Sequence, residues 1–115
     1  MAVLKKPKEP SFVRKGFRGF TFPIENKEMQ ISFVESEKGH DTFIISKNIT
    51  HTYYILEGRG FFTIEGQRYE VGHGVLVEIP PKTEFSYTGK MKILLVMNPP
   101  FYKGHEKVTK MNPDV

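Results

Sequence analysis

Turn-forming residues divide this chain at intervals of roughly eight to ten, leaving segments rich in aromatic and β-branched side chains and too short for helices. No window of about twelve residues keeps a helical period free of glycine and proline. The segments that read as strands are Gln30–Glu35, Thr42–Ser46, His51–Leu56, Phe61–Glu65, Arg68–Val71, Val75–Ile79, Glu84–Thr88 and Lys92–Met97. Between them stand Lys38-Gly39, Glu57-Gly58-Arg59-Gly60, Glu65-Gly66, Gly72-His73-Gly74, Pro80-Pro81 and Gly89-Lys90. Glu65-Gly66 reads as a tight hairpin, with glycine supplying positive φ. Short, evenly spaced strands of this kind build an antiparallel sandwich or barrel.

Whether such strands can close around a core depends on how much apolar material they carry. With 115 residues, 38% hydrophobic and 13% aromatic, the chain suffices for one domain. It divides into a basic arm at 1–16, a barrel at 17–101 and a polar tail at 102–115. Phe17, Phe20 and Phe22 are too apolar to stand in water, so that stretch is expected to pack on the barrel or on a partner subunit. The net charge of +4 comes largely from the two ends, whereas the centre is balanced in sign. That pattern argues for solvated tails over a nucleic-acid interface, which gathers cations on one folded face. The absence of cysteine excludes disulfides, thiolate catalysis and cysteine-ligated metal centres. No apolar run suits a signal peptide or a membrane-spanning helix, so the expected location is the cytoplasm.

Two strands are apolar on both faces. Tyr53 and Ile55 share one face of their strand while Tyr54 and Leu56 share the other, and Ile93–Met97 repeats the pattern. Such strands need a second covering layer. A homodimer is the expected solution.

The run Tyr53-Tyr54-Ile55-Leu56-Glu57-Gly58, followed by Gly74-Val75-Leu76-Val77-Glu78-Ile79-Pro80-Pro81, resembles the cupin superfamily, over about residues 39 to 98. The family's first motif, G-x5-H-x-H-x3-E-x6-G, runs from Gly39 to Gly58, and its second, G-x5-P-x-G-x2-H-x3-N, places its glycine on Gly74 and its proline on Pro80. The resemblance implies an all-β jelly roll, the cupin double-stranded β-helix, with little or no helix. It also implies a metal centre of three histidines and a carboxylate, but the ligand positions fall on Ile45, Lys47, His51 and Phe85. Isoleucine and phenylalanine have no lone pair, and a protonated lysine repels a cation. His51 alone could ligate a metal, so no cofactor is expected.

By the same resemblance the faces bearing Ile45 and Lys47, His51 and Tyr53, and Phe85 and Tyr87 point into the barrel. This implies a ligand site of Lys47, His51, Tyr53, Phe85 and Tyr87, with His51 and Tyr53 as candidate acid–base residues, and Lys47 could instead reach solvent at the rim. His40, His73 and His105 read as solvated loop, turn and tail residues, and Glu78 as a solvated strand residue. The leading expectation is a barrel that binds a small organic molecule without metal, with isomerase- or epimerase-like acid–base chemistry available to it. The alternatives are a metal-dependent oxygenase or lyase and a non-catalytic dimeric module with a filled interior.

Overall fold

The computed structural model describes residues 2–115. Nine strands follow in order: β1 (Phe12–Val13), β2 (Phe17–Thr21), β3 (Gln30–Ser36), β4 (Thr42–Ser46), β5 (Thr50–Ile64), β6 (Gln67–Gly72), β7 (Leu76–Ile79), β8 (Phe85–Asn98) and β9 (Glu106–Met111). All pairings are antiparallel, and among the described residues there is no helix, hence none long and apolar enough to cross a membrane.

β5 and β8 are the spine. They pair from Thr50 opposite Asn98 to Ile64 opposite Phe85. The first half of β5 also pairs with β7, and the second half with β6. β3 flanks the second half of β8, while β4 meets its start. Each long strand therefore contributes to both layers, and the sheet must bend where it passes from one to the other. The bend falls at glycines. The β5–β8 register shifts between Ile55 and Glu57, Gly58 has φ of 88° and Gly89 has φ of 125°. Gly60 lies opposite Gly89, and a Cβ on Gly60 would come within 2.1 Å of the Thr88 carbonyl oxygen. These glycines thus permit a bend and a close approach of two backbones. Sequence punctuation cannot distinguish that role from a turn, which is why β5 and β8 each read as two strands. Glu65-Gly66 is the expected hairpin, with φ of 49° and 79° at its two residues.

Both ends of the chain join the sheet. β9 pairs with β4 from Thr42 opposite Met111 to Ser46 opposite Glu106, so residues 106–111 are a strand, where a tail was expected. Its side chains are almost all exposed, so it lacks the apolar alternation that marks a strand in sequence. Backbone pairing holds it, helped by Thr109 Oγ1 donating to Glu84 at 2.6 Å and by Lys110 over the Phe43 ring. In front, the expected arm contains β1, which pairs with β2. The Gly16 carbonyl accepts the amides of Glu37, Lys38 and Gly39, tying this hairpin to the β3–β4 connection.

The interior is filled by Val34, Ile55, Phe62, Val71, Ile79, Phe85 and Ile93, all buried. The opposite face of the β7–β5–β8–β3 sheet carries a cross-strand row of Leu76, Tyr54, Leu94 and Phe33. Leu76 is 59% exposed, and Tyr54 and Leu56 also reach solvent.

A cavity lined by three histidines and two tyrosines

The barrel is not filled throughout. A cavity of about 440 Å³ lies within it, walled by β3, β4, β5 and β8, the N-terminal hairpin and the β8–β9 connection. This volume is in the range of small-molecule sites, which counts against the non-catalytic module with a filled interior.

A row of rings runs along one wall. Centroid separations are 6.0 Å from His105 to His51, 6.2 Å from His51 to Tyr53, 5.5 Å from Tyr53 to Tyr87, and 5.7 Å from Tyr87 to His40. The periodicity of β5 puts His51, Tyr53 and Ile55 on its inner face. His40 and His105 come instead from the connections before β4 and before β9. Their anchors, Thr42 and Ser46, are at opposite ends of β4, about 13 Å apart at the usual strand rise.

His40 is locked in one tautomer. Its Nδ1 lies 2.8 Å from the Thr42 carbonyl oxygen, which can only accept, so Nδ1 carries the proton and donates it. The Thr42 amide and hydroxyl are more distant, at 3.4 and 3.5 Å. Nε2, which makes no hydrogen bond among the described residues, keeps its lone pair on a ring lining the cavity. The ring stacks on Phe17 at 4.9 Å. Its backbone is held as firmly, because the His40 carbonyl accepts from Ser86 Oγ at 2.9 Å and from Asn112 Nδ2 at 3.1 Å. Burial, more than any neighbouring charge, lowers the His40 pKa to about 4.

His105 has the opposite arrangement. Ser46 Oγ accepts the Ile49 amide at 3.2 Å and lies 2.9 Å from His105 Nδ1. Ser46 is buried, and Nδ1 is the acceptor its hydroxyl proton can reach, so Ser46 donates to Nδ1 and the His105 proton resides on Nε2. Phe101 and Tyr102 pack edge-on against this ring, and burial lowers its pKa. His51 lies between the two, with its pKa lowered to about 4 by burial and then by the charges that His105 and His40 would carry. Its buried Nδ1 has no hydrogen-bond partner among the described residues.

Burial raises the pKa of Tyr53 well above the ordinary phenol value, aided by Tyr87 and Glu106, and it raises that of Tyr87 likewise. At neutral pH the wall therefore presents two phenol donors and three neutral imidazoles. Among the described lining residues, the charged ones are Glu106 and Arg14, which pairs with Asp41 at 3.1 Å. Such an interior suits a neutral, polar, ring-bearing molecule.

Of the residues expected to form the site, His51, Tyr53 and Tyr87 line the cavity. Phe85 is buried against His51 and Tyr53, at 5.3 and 6.0 Å, as packing behind them. Lys47 is exposed, in the loop between β4 and β5, with its amide bonded to the His105 carbonyl. The motif alignment is one residue out of phase on β4: Ile44, not Ile45, lines the cavity, as the pairing of Ile44 with Phe85 requires. His40 and His105 are buried cavity residues, where solvated ones were expected. His73 and Glu78 are exposed.

The donor set does not fit the metal centre that the cupin resemblance implies. Among the described residues no three histidine, aspartate or glutamate side chains converge as a metal cage, and Phe85, buried against His51, has no lone pair to offer.

No protein-family model matches the chain. An uncharacterised protein of Methanocaldococcus jannaschii is 42% identical over 53 residues, which span 43% of this chain and 42% of that protein. Among solved structures, Pac13, described as a unique nucleoside dehydratase, superimposes with a TM-score of 0.83 at 22% identity, covering 96% of this chain and 88% of its own. A histidine-to-glutamine variant of Streptomyces PAC13 with uridine gives 0.87 at 22% identity, covering 96% and 93%. The cupin domain of Schizosaccharomyces pombe Cnp3 gives 0.63 at 16% identity over 71% of this chain and 64% of its own. At these identities the likeness is one of fold, and it agrees with the strand order and bent spine described above: the chain has the cupin fold, as a single small jelly-roll barrel.

Proposed function

We propose that the cavity binds a neutral ligand of nucleoside size and performs metal-free acid–base chemistry on it, with His40 as the base and Tyr53 and Tyr87 as hydrogen-bond donors. The observation that carries this is the commitment of His40 Nδ1–H to the Thr42 carbonyl, which leaves the Nε2 lone pair free beside two phenols. The likeness to a nucleoside dehydratase supports it. So does a detail of the uridine-bound PAC13 variants: the substituted histidine and two substituted tyrosines are spaced by 13 and 34 residues, as are His40, Tyr53 and Tyr87.

The chemistry follows from the groups. An imidazole with a pKa of about 4 is a weak base, so the C–H bond it breaks must be acidified by an adjacent carbonyl. His40 Nε2 takes the proton, and the electron pair moves toward the carbonyl oxygen. Phenol O–H groups that stay protonated are suited to hold the developing oxyanion. The enolate then collapses, the carbon–oxygen bond to a hydroxyl at the β position breaks, and that hydroxyl leaves as water with the proton returned by His40. The overall reaction is a dehydration, in which nothing is oxidised or reduced.

Calorimetric titration with uridine, alongside its carbonyl-bearing sugar derivatives in deuterated water, tests the reading. Binding, with turnover or deuterium exchange at the carbon next to the carbonyl, is expected in the wild type. His40→Gln should keep binding and lose the exchange. No heat and no thermal shift with any of these ligands would overturn it.

We further propose that the outer face bearing Leu76, Tyr54 and Leu94 pairs with a second copy, since an apolar sheet face of this extent favours cover. Light scattering should give twice the 13.3 kDa chain mass; the mass of one chain would end the idea.

A further inference from the structure

The geometry points to His105 as the residue that reads the far edge of the ligand's ring, by donating its Nε2–H to a carbonyl oxygen. We propose that this makes the site select a pyrimidine with an oxygen at position 4 over one with an amino group there. The inference rests on the nucleoside reading above and extends it to specificity.

Three observations lead to it. The first is position. The row of rings begins at His40 and ends at His105, and the anchoring residues Thr42 and Ser46 stand four residues apart on one strand. A ligand whose sugar carbon meets His40 can extend its base along Tyr87, Tyr53 and His51 toward His105, the far end of that wall. The atom of a uracil ring farthest from the glycosidic bond on that path is the position-4 oxygen.

The second is hydrogen-bonding polarity. Ser46 Oγ accepts the Ile49 amide, and among the described residues His105 Nδ1 is the one acceptor in reach of its own proton. The only proton left on a neutral His105 ring is on Nε2. His105 therefore offers a donor and no acceptor. An oxygen satisfies that donor, whereas an amino group faces it with another donor and leaves both unpaired, which in a buried site costs about tenfold or more in affinity.

The third is confinement. His105 is buried on the cavity wall with Phe101 and Tyr102 packed edge-on against it, so water is restricted there. Tyr102 is itself held by a hydroxyl bond of 2.6 Å to Asn48 Oδ1. His105 thus contacts the ligand directly, while Ser46 is a positioning residue that acts through it.

The test compares uridine with cytidine by calorimetry in wild type, His105→Phe, His105→Gln, Ser46→Ala and Ser46→Thr. The wild type should bind uridine at least about tenfold more tightly than cytidine. His105→Phe, which keeps a ring and removes the donor, should bring the ratio close to one, mainly by weakening uridine. His105→Gln retains an N–H donor and should keep part of the preference. Ser46→Ala should narrow the ratio a few-fold, and Ser46→Thr, which restores the hydroxyl, should recover it. Nitrogen NMR of the His105 ring should show the Nε2–H tautomer in wild type and a mixture in Ser46→Ala. If uridine binds and the uridine-to-cytidine ratio stays unchanged in the His105 variants, the assignment is overturned while the nucleoside reading stands. If uridine does not bind the wild type, both fail. Should His105→Phe not fold, by circular dichroism, an unchanged ratio in Ser46→Ala overturns the assignment by itself.

Discussion

The two ends of the cavity use the same side chain in opposite senses. At one end His40 gives its Nδ1 proton to the Thr42 carbonyl and turns a lone pair to the interior. At the other His105 receives a proton at Nδ1 from Ser46 and keeps its own on Nε2. The difference lies in the partner, since a carbonyl can only accept, whereas the Ser46 hydroxyl carries a proton for which His105 Nδ1 is the acceptor within reach. The ends differ in rigidity too. The His40 backbone is held by Ser86 and Asn112, both buried, whereas His105 leans on Phe101 and Tyr102, both partly in solvent. The atom beside Nδ1 decides whether an imidazole in this barrel turns a lone pair or a proton to the cavity.

The largest expected effect separates the ends by chemistry. His40→Gln removes a base and should lower turnover about a hundredfold to ten-thousandfold with binding retained. His105→Gln should change affinity more than turnover, so the two variants divide between kcat and KM. Equal losses of turnover in both would break the comparison.

Acid sensitivity comes next. His40 and His51 have folded-state pKa values of about 4, below the ordinary 6.5. Above pH 6.5 both are neutral in either state, and there is no effect. Between 6.5 and 4 the unfolded chain takes up protons that the folded chain refuses, so stability falls as pH falls and levels off below about 4. The full loss is roughly 3 kcal/mol for each ring, together comparable with the stability of a small domain. The melting temperature should therefore drop steeply through this window, and His51→Leu should flatten the slope by about half. A melting temperature constant from pH 7 to pH 4 would show that the imidazoles are not buried in neutral form.

The sequence disclosed the barrel far better than its interior, for physical reasons. Alternation on β5 groups His51, Tyr53 and Ile55 on one face, but both faces of β5 and β8 are apolar, so only the cupin resemblance implied that this face points inward. His40 and His105 stand outside any period. Their burial depends on contacts made across the fold, with Tyr87 and Asn112 for one and Ser46 for the other. β9 was hidden because its side chains are exposed and its backbone does the pairing. The family motif misplaced the β4 side chains by one residue, because a slip of one turns the whole inner face outward, from Ile44 to Ile45. Gly58, Gly60 and Gly89, read as turns between strands, are instead where the two long strands bend, as backbone geometry requires.

A stability comparison probes rigidity. Asn112 Nδ2 serves His40 O, Ser86 Oγ and Tyr87 O from the end of the chain, at 3.1, 3.1 and 3.4 Å. Asn112→Ala leaves buried acceptors short of a partner and should cost about 1–3 kcal/mol, which chemical denaturation measures. Ser46→Ala strands the buried Ile49 amide and one ring nitrogen and should likewise cost about 1–3 kcal/mol. A larger loss in Ser46→Ala would mean that the His105 end is the more tightly built.

The smallest expected effect is at Phe101, which is 51% exposed and meets His105 edge-on at 5.1 Å. An edge-to-face aromatic contact contributes about 0.5–1.5 kcal/mol, but exposure places part of that ring in water in both folded and unfolded states. Phe101→Ala should therefore leave the melting temperature almost unchanged. Its effect belongs to binding: without the ring, water reaches the Nε2–H of His105 and competes with the ligand oxygen for it. Affinity for uridine should fall about two- to tenfold, with affinity for cytidine falling less, since water costs nothing where no hydrogen bond is made. A drop shared equally by both ligands would assign Phe101 to stacking on the base, and the difference between the two ends would then rest on Ser46 alone.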